Sequence, residues 1–492
     1  MADRHIWLYL GLAAIVLLGF RAHAFSLPLE TDECNYAYIG ARLLEGDRLY
    51  QDVWDHQPPG VFVMFAGVIA LFGHPTASDQ VFRWLASGFA IASLVLVFDF
   101  VRRHYGRGPA VFAAFLFAVT SSDPGSAGEG CNREIYMNFL ALAALWLLTP
   151  SPGAASLPGL GNGSADQPPT LREVRGPASR SRLLVAGLLF GIGSTFKTVM
   201  AAQWLFVVLW LAVRAVSRSR NFRAALAPIL WMCAGPAAVW LSTGSYFALT
   251  GRWSAFTEAV FAFNIGYSGL SESSSLWSRY ADFATVKPYV FHSARPLWLV
   301  SPFALLGLLA LSRRRLASTD GAIVAYLLGS FHAVCLPGLF WPHYYQLLFP
   351  PMILVCAALL RRVIDVGSPR PVEQGATRVG PILIYGAAAL VAGTVLAAEL
   401  RHYLLVEPAQ ITAPRYDYRQ QWARAQGLRV AALTDPEDSI FVWGKDAGIY
   451  FYSDRRCASR YTMVGALGDH AIGYQQRRKI LMEELQTNRP RL

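Results

Sequence analysis

Four clusters of side chains able to do chemistry stand beside apolar stretches of this sequence. Asp32 and Glu33 lie in "LETDECNYAYIGARLLEGDRLYQDVWDHQPPG" (Leu29–Gly60), with Glu30, Glu45, Asp47, Asp52, Asp55 and His56. Arg133 and Glu134 open a helical pattern in "EGCNREIYMN" (129–138), where the helix dipole favours an acid. Lys197 is the only lysine of the apolar run "GLLFGIGSTFKTVMAAQW" (187–204). His343, Tyr344, Tyr345 and Gln346 share "GLFWPHYYQLLFPP" (338–351). A carboxylate held at a lipid–water boundary suits general-base work, because partial desolvation raises its basicity. A lysine inside an apolar span is costly and tends to mark a site. Each cluster also has a plainer reading: a solvated loop, a helix cap, a snorkelling lysine and an aromatic belt.

The elements that must position these groups are membrane helices. The chain has 492 residues, 54% hydrophobic and 15% charged, against roughly a quarter charged in soluble domains. Its mean hydropathy is +0.34, and the apolar excess comes in blocks long enough to span a bilayer. The net charge of +11 does not imply nucleic acid, because the arginines cluster in short segments between those blocks. Eleven spans are expected: 6–22, 79–101, 108–122, 134–149, two short ones within 183–214 that meet near Lys197–Gln203, 224–249, 296–311, 321–338, 346–362 and 379–399. With the N-terminus in the cytoplasm, the basic segments 102–107, 171–182, 214–223, 312–315 and 361–362 all fall inside. The outside then receives 23–78, 123–133, about 250–295 and the tail from about 400, so all four polar clusters face one side. The block 60–73 is too short to span and fits a re-entrant or interfacial helix.

Loop 150–182, rich in Pro, Gly and Ser, reads as a cytoplasmic linker. The tail holds a strand-like run (Ile440–Trp443), a Gly turn and an aromatic segment, which reads as a small α/β unit. An uncleaved first helix is the preferred start, and a signal peptide cut after Ala24 is the other reading. The six cysteines show no metal-ligand spacing. Cys34 and Cys131 fall on the same side, and a disulfide between them is an open alternative.

"TDECNYAYIGARLLEGDRLYQDVWDHQPPG" resembles the first extracytoplasmic loop of the GT-C glycosyltransferases. The resemblance is to the family 39-like branch of protein O-mannosyltransferases and lipid A aminoarabinose transferases. "NREIYMNFLALAALWLL" is similar to that family's second-loop acid opening a helix, and "GLLFGIGSTFK" to its Gly-rich helix ending in Lys. "WPHYYQLLFPPMILVCAALL" resembles its late His-Tyr helix, and "DSIFVWGKDAGIYFYSDRRCASRY" its periplasmic tail. The motifs cover most of the chain in order.

The resemblance implies a mainly α GT-C fold in the inner membrane, with the N-terminus cytoplasmic and the C-terminus extracytoplasmic. It implies a catalytic domain over 1–399 and a small extracytoplasmic domain over 400–492. The implied activity is inverting transfer of a sugar from a polyprenyl-phosphate carrier to a hydroxyl of a glycan, lipid or protein. Asp32 would be the base. Glu33, Tyr36, His56, Glu134, Lys197, His343 and Tyr345 would bind substrate, with Lys197 neutralising the leaving phosphate. No metal is required, although some branches use a divalent ion. Two features depart from the pattern: Gln57 stands between His56 and Pro58-Pro59, and the tail stops at "LQTNRPRL" where relatives continue into another strand.

Two other functions compete. A transporter or flippase of lipid-linked sugars would favour midplane polar residues, broken helices and repeats. A non-catalytic sugar-binding scaffold would not need a carboxylate beside a phosphate-binding cation.

Overall fold

The computed structural model describes residues 2–73, 79–149, 178–268, 275–284, 295–311, 318–367, 379–405, 407, 419–468, 471 and 473–492. Most of the expected linker 150–182, the basic segment 312–315 and parts of the 250–295 and post-400 segments lie outside the described residues.

The expected apolar blocks are helices. They begin with α1 (Ala2–Arg21), α2 (Thr31–Leu44), α3 (Gly60–Phe72), α4 (Gln80–Tyr105), α5 (Arg107–Thr120) and α6 (Arg133–Leu148). α7 (Arg180–Ser194), α8 (Met200–Ser219) and α9 (Leu226–Leu249) follow. Arg295–Leu311, Thr319–Cys335, Phe349–Gly367 and Val379–Leu405 complete the apolar set. By length and composition, six segments can cross a membrane: Ile6–Ser26, Gln80–Tyr105, Met200–Ser219, Phe222–Leu249, Pro342–Val366 and Ala388–Leu405. The 183–214 run breaks at Thr195–Val199, which places Lys197 in the turn between α7 and α8.

Side-chain contacts show which helix ends meet. At one end, Arg21 closes α1 by donating to the carbonyls of Gly128, Glu129 (3.1 Å) and Gly130 (3.0 Å) in the loop before α6. Arg252, just past α9, donates to the Leu49 carbonyl (3.4 Å), and the Tyr403 hydroxyl donates to the Ser122 carbonyl (3.0 Å). At the opposite end, Asp320 accepts from the Tyr105 hydroxyl (2.7 Å) and pairs with Arg362 (2.5 Å). The ends of α1, α9 and Val379–Leu405 and the start of α6 therefore share one end, and the ends of α4 and Phe349–Gly367 and the start of Thr319–Cys335 share the other.

The first loop folds over the former end. A capping box closes the start of α2: the Glu30 side chain accepts from the backbone N–H of Glu33, and Glu33 accepts from the Glu30 N–H (3.0 Å). Pro58-Pro59 then ends the loop and opens α3. At 13 residues, α3 extends about 20 Å, short of the roughly 30 Å hydrocarbon core. It packs along α2 instead. Gly60 is needed at this junction: its N–H donates to the Thr195 carbonyl (2.8 Å), and an added Cβ would sit 2.3 Å from Thr195 Oγ1. The first loop is thereby held against the turn that carries Lys197.

The tail caps this assembly. Helix Arg419–Leu433 packs on helix Gly448–Ser453, which packs on α2. Strands β1 (Ser439–Ile440) and β2 (Arg456–Cys457) pair in parallel. The strand is shorter than the expected Ile440–Trp443, because past Ile440 the Phe441 N–H donates to the Leu492 carbonyl (3.0 Å) and the Val442 N–H to the Tyr450 hydroxyl (2.6 Å). Helix Val379–Leu405 runs past the expected domain boundary at 399. The tail then laces onto the first loop through Arg456–Asp47 (2.5 Å), Cys457 N–H to the Tyr38 hydroxyl (2.8 Å) and Trp54 N–H to the Arg460 carbonyl (2.9 Å).

Candidate active site

Asp32 occupies the first turn of α2, half-buried, so it keeps access to solvent or ligand. Burial raises its carboxyl above the usual range; Arg133 opposes that rise, and Asp55 adds to it. His56 and Glu134 also act on it. The first turns of α2 and α6 and the end of the first loop therefore meet at Asp32.

Glu33 points the other way and is fully buried. Its Oε1 accepts from the Cys131 N–H (2.6 Å) and from Arg83 Nη1 (3.1 Å), and its Oε2 lies 3.0 Å from the same Arg83 nitrogen. Arg83 Nη2 donates to the Pro28 carbonyl (3.1 Å). Gly130 makes room, since a Cβ there would lie 2.5 Å from Glu33 Oε1. This carboxylate joins α2, α4 and the loop before α6. Cys34 and Cys131 flank the junction as free, buried thiols; the Cys34 sulfur faces the Gly448 position of the tail.

Arg133 is 2% exposed, and its guanidinium lies 5.3 Å from the ring centroid of the buried Tyr36. Its Nε and Nη1 have no hydrogen-bond partner in the protein. Beside it, Glu134 Oε1 accepts from Lys197 Nζ (2.8 Å) while Oε2 is unpartnered. Lys197 Nζ also stands 3.2 Å from the Tyr344 ring centroid, a cation–π contact strengthened by its low exposure. His343 packs edge-on to Tyr344 (4.8 Å) and acts electrostatically on Glu134. The sequence motifs at 133–134, 197 and 343–344 thus converge. Tyr345 instead sets its ring 5.8 Å from Phe283.

His56 packs tilted against the stacked pair Phe263 and Tyr267, each 5.3 Å away. Burial, followed by the charge of Arg133, pushes its ring down to about 3, so it is neutral at physiological pH. Asp55 sits 3.6 Å from His56 Nδ1. Its Oδ2 accepts from Asn35 Nδ2 (2.7 Å) and its Oδ1 from the Gln57 N–H (2.8 Å). Burial pushes the Asp55 carboxyl up to about 6. Glu45, Asp47 and Asp52 make loop ion pairs with Arg42 and Arg48. Asp55 does not belong with them: it is 5% exposed, and its charge acts on Asp32. The signal for it was its place between Trp54 and His56 at the Pro-Pro break. For Arg133, the signal was a charged pair opening an apolar helix.

No protein-family model and no curated protein matches this sequence. Solved structures do match in fold. The apo structure of ArnT from Cupriavidus metallidurans aligns with TM-score 0.61 at 15% identity, over 94% of this chain and 88% of that one. The ArnT structure bound to undecaprenyl phosphate aligns with TM-score 0.59 at 14% identity, over 93% and 86%. The archaeal oligosaccharyltransferase AglB from Archaeoglobus fulgidus, in complex with an inhibitory peptide and a dolichol-phosphate, aligns with TM-score 0.55 at 13% identity, over 99% and 68%. The chain has apolar helices long enough to cross a membrane and shares the fold of these structures, the mainly α architecture expected from its motifs.

Proposed function

We propose that this protein is an inverting glycosyltransferase that moves a sugar from a polyprenyl-phosphate donor to an acceptor hydroxyl. It does so at the extracytoplasmic face of the inner membrane, with residues 400–492 as a cap on that face. Asp32 takes the proton of the acceptor hydroxyl as its oxygen attacks the anomeric carbon. The bond from that carbon to the phosphate oxygen breaks, and the polyprenyl phosphate leaves with the electron pair.

The buried Arg133 guanidinium, whose Nε and Nη1 have no hydrogen-bond partner in the protein, beside Asp32 and the Glu134–Lys197 pair, carries this reading. A buried donor without a partner costs about 1–3 kcal/mol, and an anionic oxygen that accepts from Arg133 removes that cost. Arg133 and Lys197 stabilise the charge that grows on the leaving phosphate. Glu134 and Tyr344 fix the Lys197 ammonium, and Tyr36 supports Arg133. His56 and His343, with the rings around them, line the site where sugar or phosphate sits, and Glu33 holds α2 in place. Among the described residues no group of His, Cys, Asp and Glu is placed to hold a metal ion; the phosphate charge is assigned here to Arg133 and Lys197. Fold likeness to ArnT bound to undecaprenyl phosphate supports a lipid-linked donor, and a glycan, lipid or protein supplies the hydroxyl.

The test is release of undecaprenyl phosphate by purified protein in vesicles carrying undecaprenyl-phosphate-linked hexoses and pentoses. Wild type is expected to release it, and folded Asp32→Asn to lose about 10²–10⁴-fold in rate. Full transfer by that variant removes Asp32 as the base. Movement of intact lipid-linked sugar across the vesicle without cleavage makes the protein a transporter.

A further inference from the structure

The tail contributes a buried hydroxyl to the carboxylate centre. Thr462 is 1% exposed and donates through Oγ1 to Asn35 Oδ1 (2.6 Å), across 427 residues of sequence. Asn35 is fully buried in α2, and its other amide atom, Nδ2, donates to Asp55 Oδ2. The tail strand is fixed beside this contact by the Trp54–Arg460 hydrogen bond and the parallel bridge of Trp54 with Tyr461.

We propose that Thr462 is a positioning residue for the active site: it locks the Asn35 amide so that Nδ2 faces Asp55, keeping Asp55 ionised beside Asp32. This rests on the reading of Asp32 as the base. An amide offers an acceptor at one end and donors at the other. With Thr462 donating to Oδ1, only Nδ2 can turn to Asp55. A flipped amide would set Oδ1 against a carboxylate oxygen and leave Nδ2 facing the hydroxyl. Donation to the ionised carboxylate favours that form, and a negative Asp55 raises the proton affinity of Asp32.

The other groups acting on this centre are Tyr36 and Asp32 from α2, Tyr50 and His56 from the loop, Arg133 and Glu134 from α6, Lys197 from the turn between α7 and α8, and Tyr267 from helix Phe263–Ser268. Arg133 favours the ionised form of Asp55, and substitution of Thr462 leaves Arg133 in place. Loss of the hydroxyl is therefore expected to shift Asp55, not to abolish its ionisation.

The experiment is a pH titration of the carboxylic C=O infrared band of the full-length protein in nanodiscs, with Asp55→Asn assigning the band. Thr462→Val is expected to raise the Asp55 midpoint by about half a pH unit or more, and Thr462→Ser to restore it. Turnover of the lipid-linked sugar should fall about twofold or more at pH 6 in Thr462→Val, with KM unchanged and with recovery at pH 8, where Asp55 is ionised in either protein. Thr462→Ala carries the same expectation if Val crowds the site. An unmoved midpoint in a folded variant, or an equal loss of turnover at both pH values, overturns the proposal. The infrared titration needs no catalysis, so its outcome is separate from that of Asp32→Asn.

Discussion

Two buried charge clusters lie side by side at the loop end of the bundle, one around Glu33 and the other around Arg133. In the first, both carboxylate oxygens of Glu33 are satisfied, and of the Arg83 nitrogens only Nε lacks a partner. In the second, Arg133 Nε and Nη1 and Glu134 Oε2 have no partner within the protein, and Asp32 retains exposure. Both clusters bear the desolvation cost of buried charge. A closed set of partners returns that cost as fixed geometry between α2, α4 and the loop before α6. An open set returns it only when an anion arrives. The difference separates the residues that build the site from those that work in it, although Asp32 and Glu33 are adjacent in sequence.

The sharpest way to break this contrast is to exchange the expected outcomes of the two neighbours. Asp32→Asn should lower transfer by about 10²–10⁴-fold with an unchanged melting temperature. Glu33→Ala should leave the Arg83 charge unpaired and cost about 3–5 kcal/mol of stability, read by thermal unfolding in detergent. A stable Glu33→Ala protein with dead chemistry would place Glu33 in the reaction instead. Arg133→Met should weaken binding of undecaprenyl phosphate by about 30-fold, equivalent to about 2 kcal/mol. Its melting temperature should hold or rise, because the removed charge lacked full pairing.

The pH profile gives a smaller effect. The ionised carboxylates are the active forms, and burial raises both Asp32 and Asp55, the latter to about 6. Transfer should therefore fall as pH drops through about 6, by about tenfold per unit for each of the two groups at the steep limit. An acidic limb near 4, the ordinary carboxylate value, would show that neither group governs the rate. The smallest effect belongs to Arg456→Ala: Arg456 is 56% exposed in its pair with Asp47, and such pairs contribute about 0–1 kcal/mol.

Much of the architecture was legible. The apolar blocks became helices, the short 60–73 block became α3 lying along α2, and the 183–214 run broke at the turn bearing Lys197. Such features depend on local hydrophobicity and on residues a few positions apart. The meeting of Glu134, Lys197 and His343 followed from threading their clusters to one side. What was not legible was pairing. Glu33 was expected to bind substrate and is held by Arg83; Asp55 was grouped with the loop acids and is buried opposite Asn35. Arg133 opens α6 beside Glu134, and the ring over Lys197 comes from Tyr344, the neighbour of the expected substrate-binding Tyr345. No spacing rule distinguishes these neighbours, because helical geometry turns adjacent side chains about 100° apart and the partner lies elsewhere in the chain.

The sequence by itself determined a chain of apolar helices, several long enough to cross a membrane, because hydrophobic length is summed over local segments. Tertiary structure alone decided which carboxylate is closed by an ion pair and which remains open. It also decided that Thr462 of the tail reaches Asn35 and, through it, Asp55. The reason is physical: desolvation and hydrogen bonding depend on what lies within a few ångströms, and here those neighbours are separated by up to 427 residues.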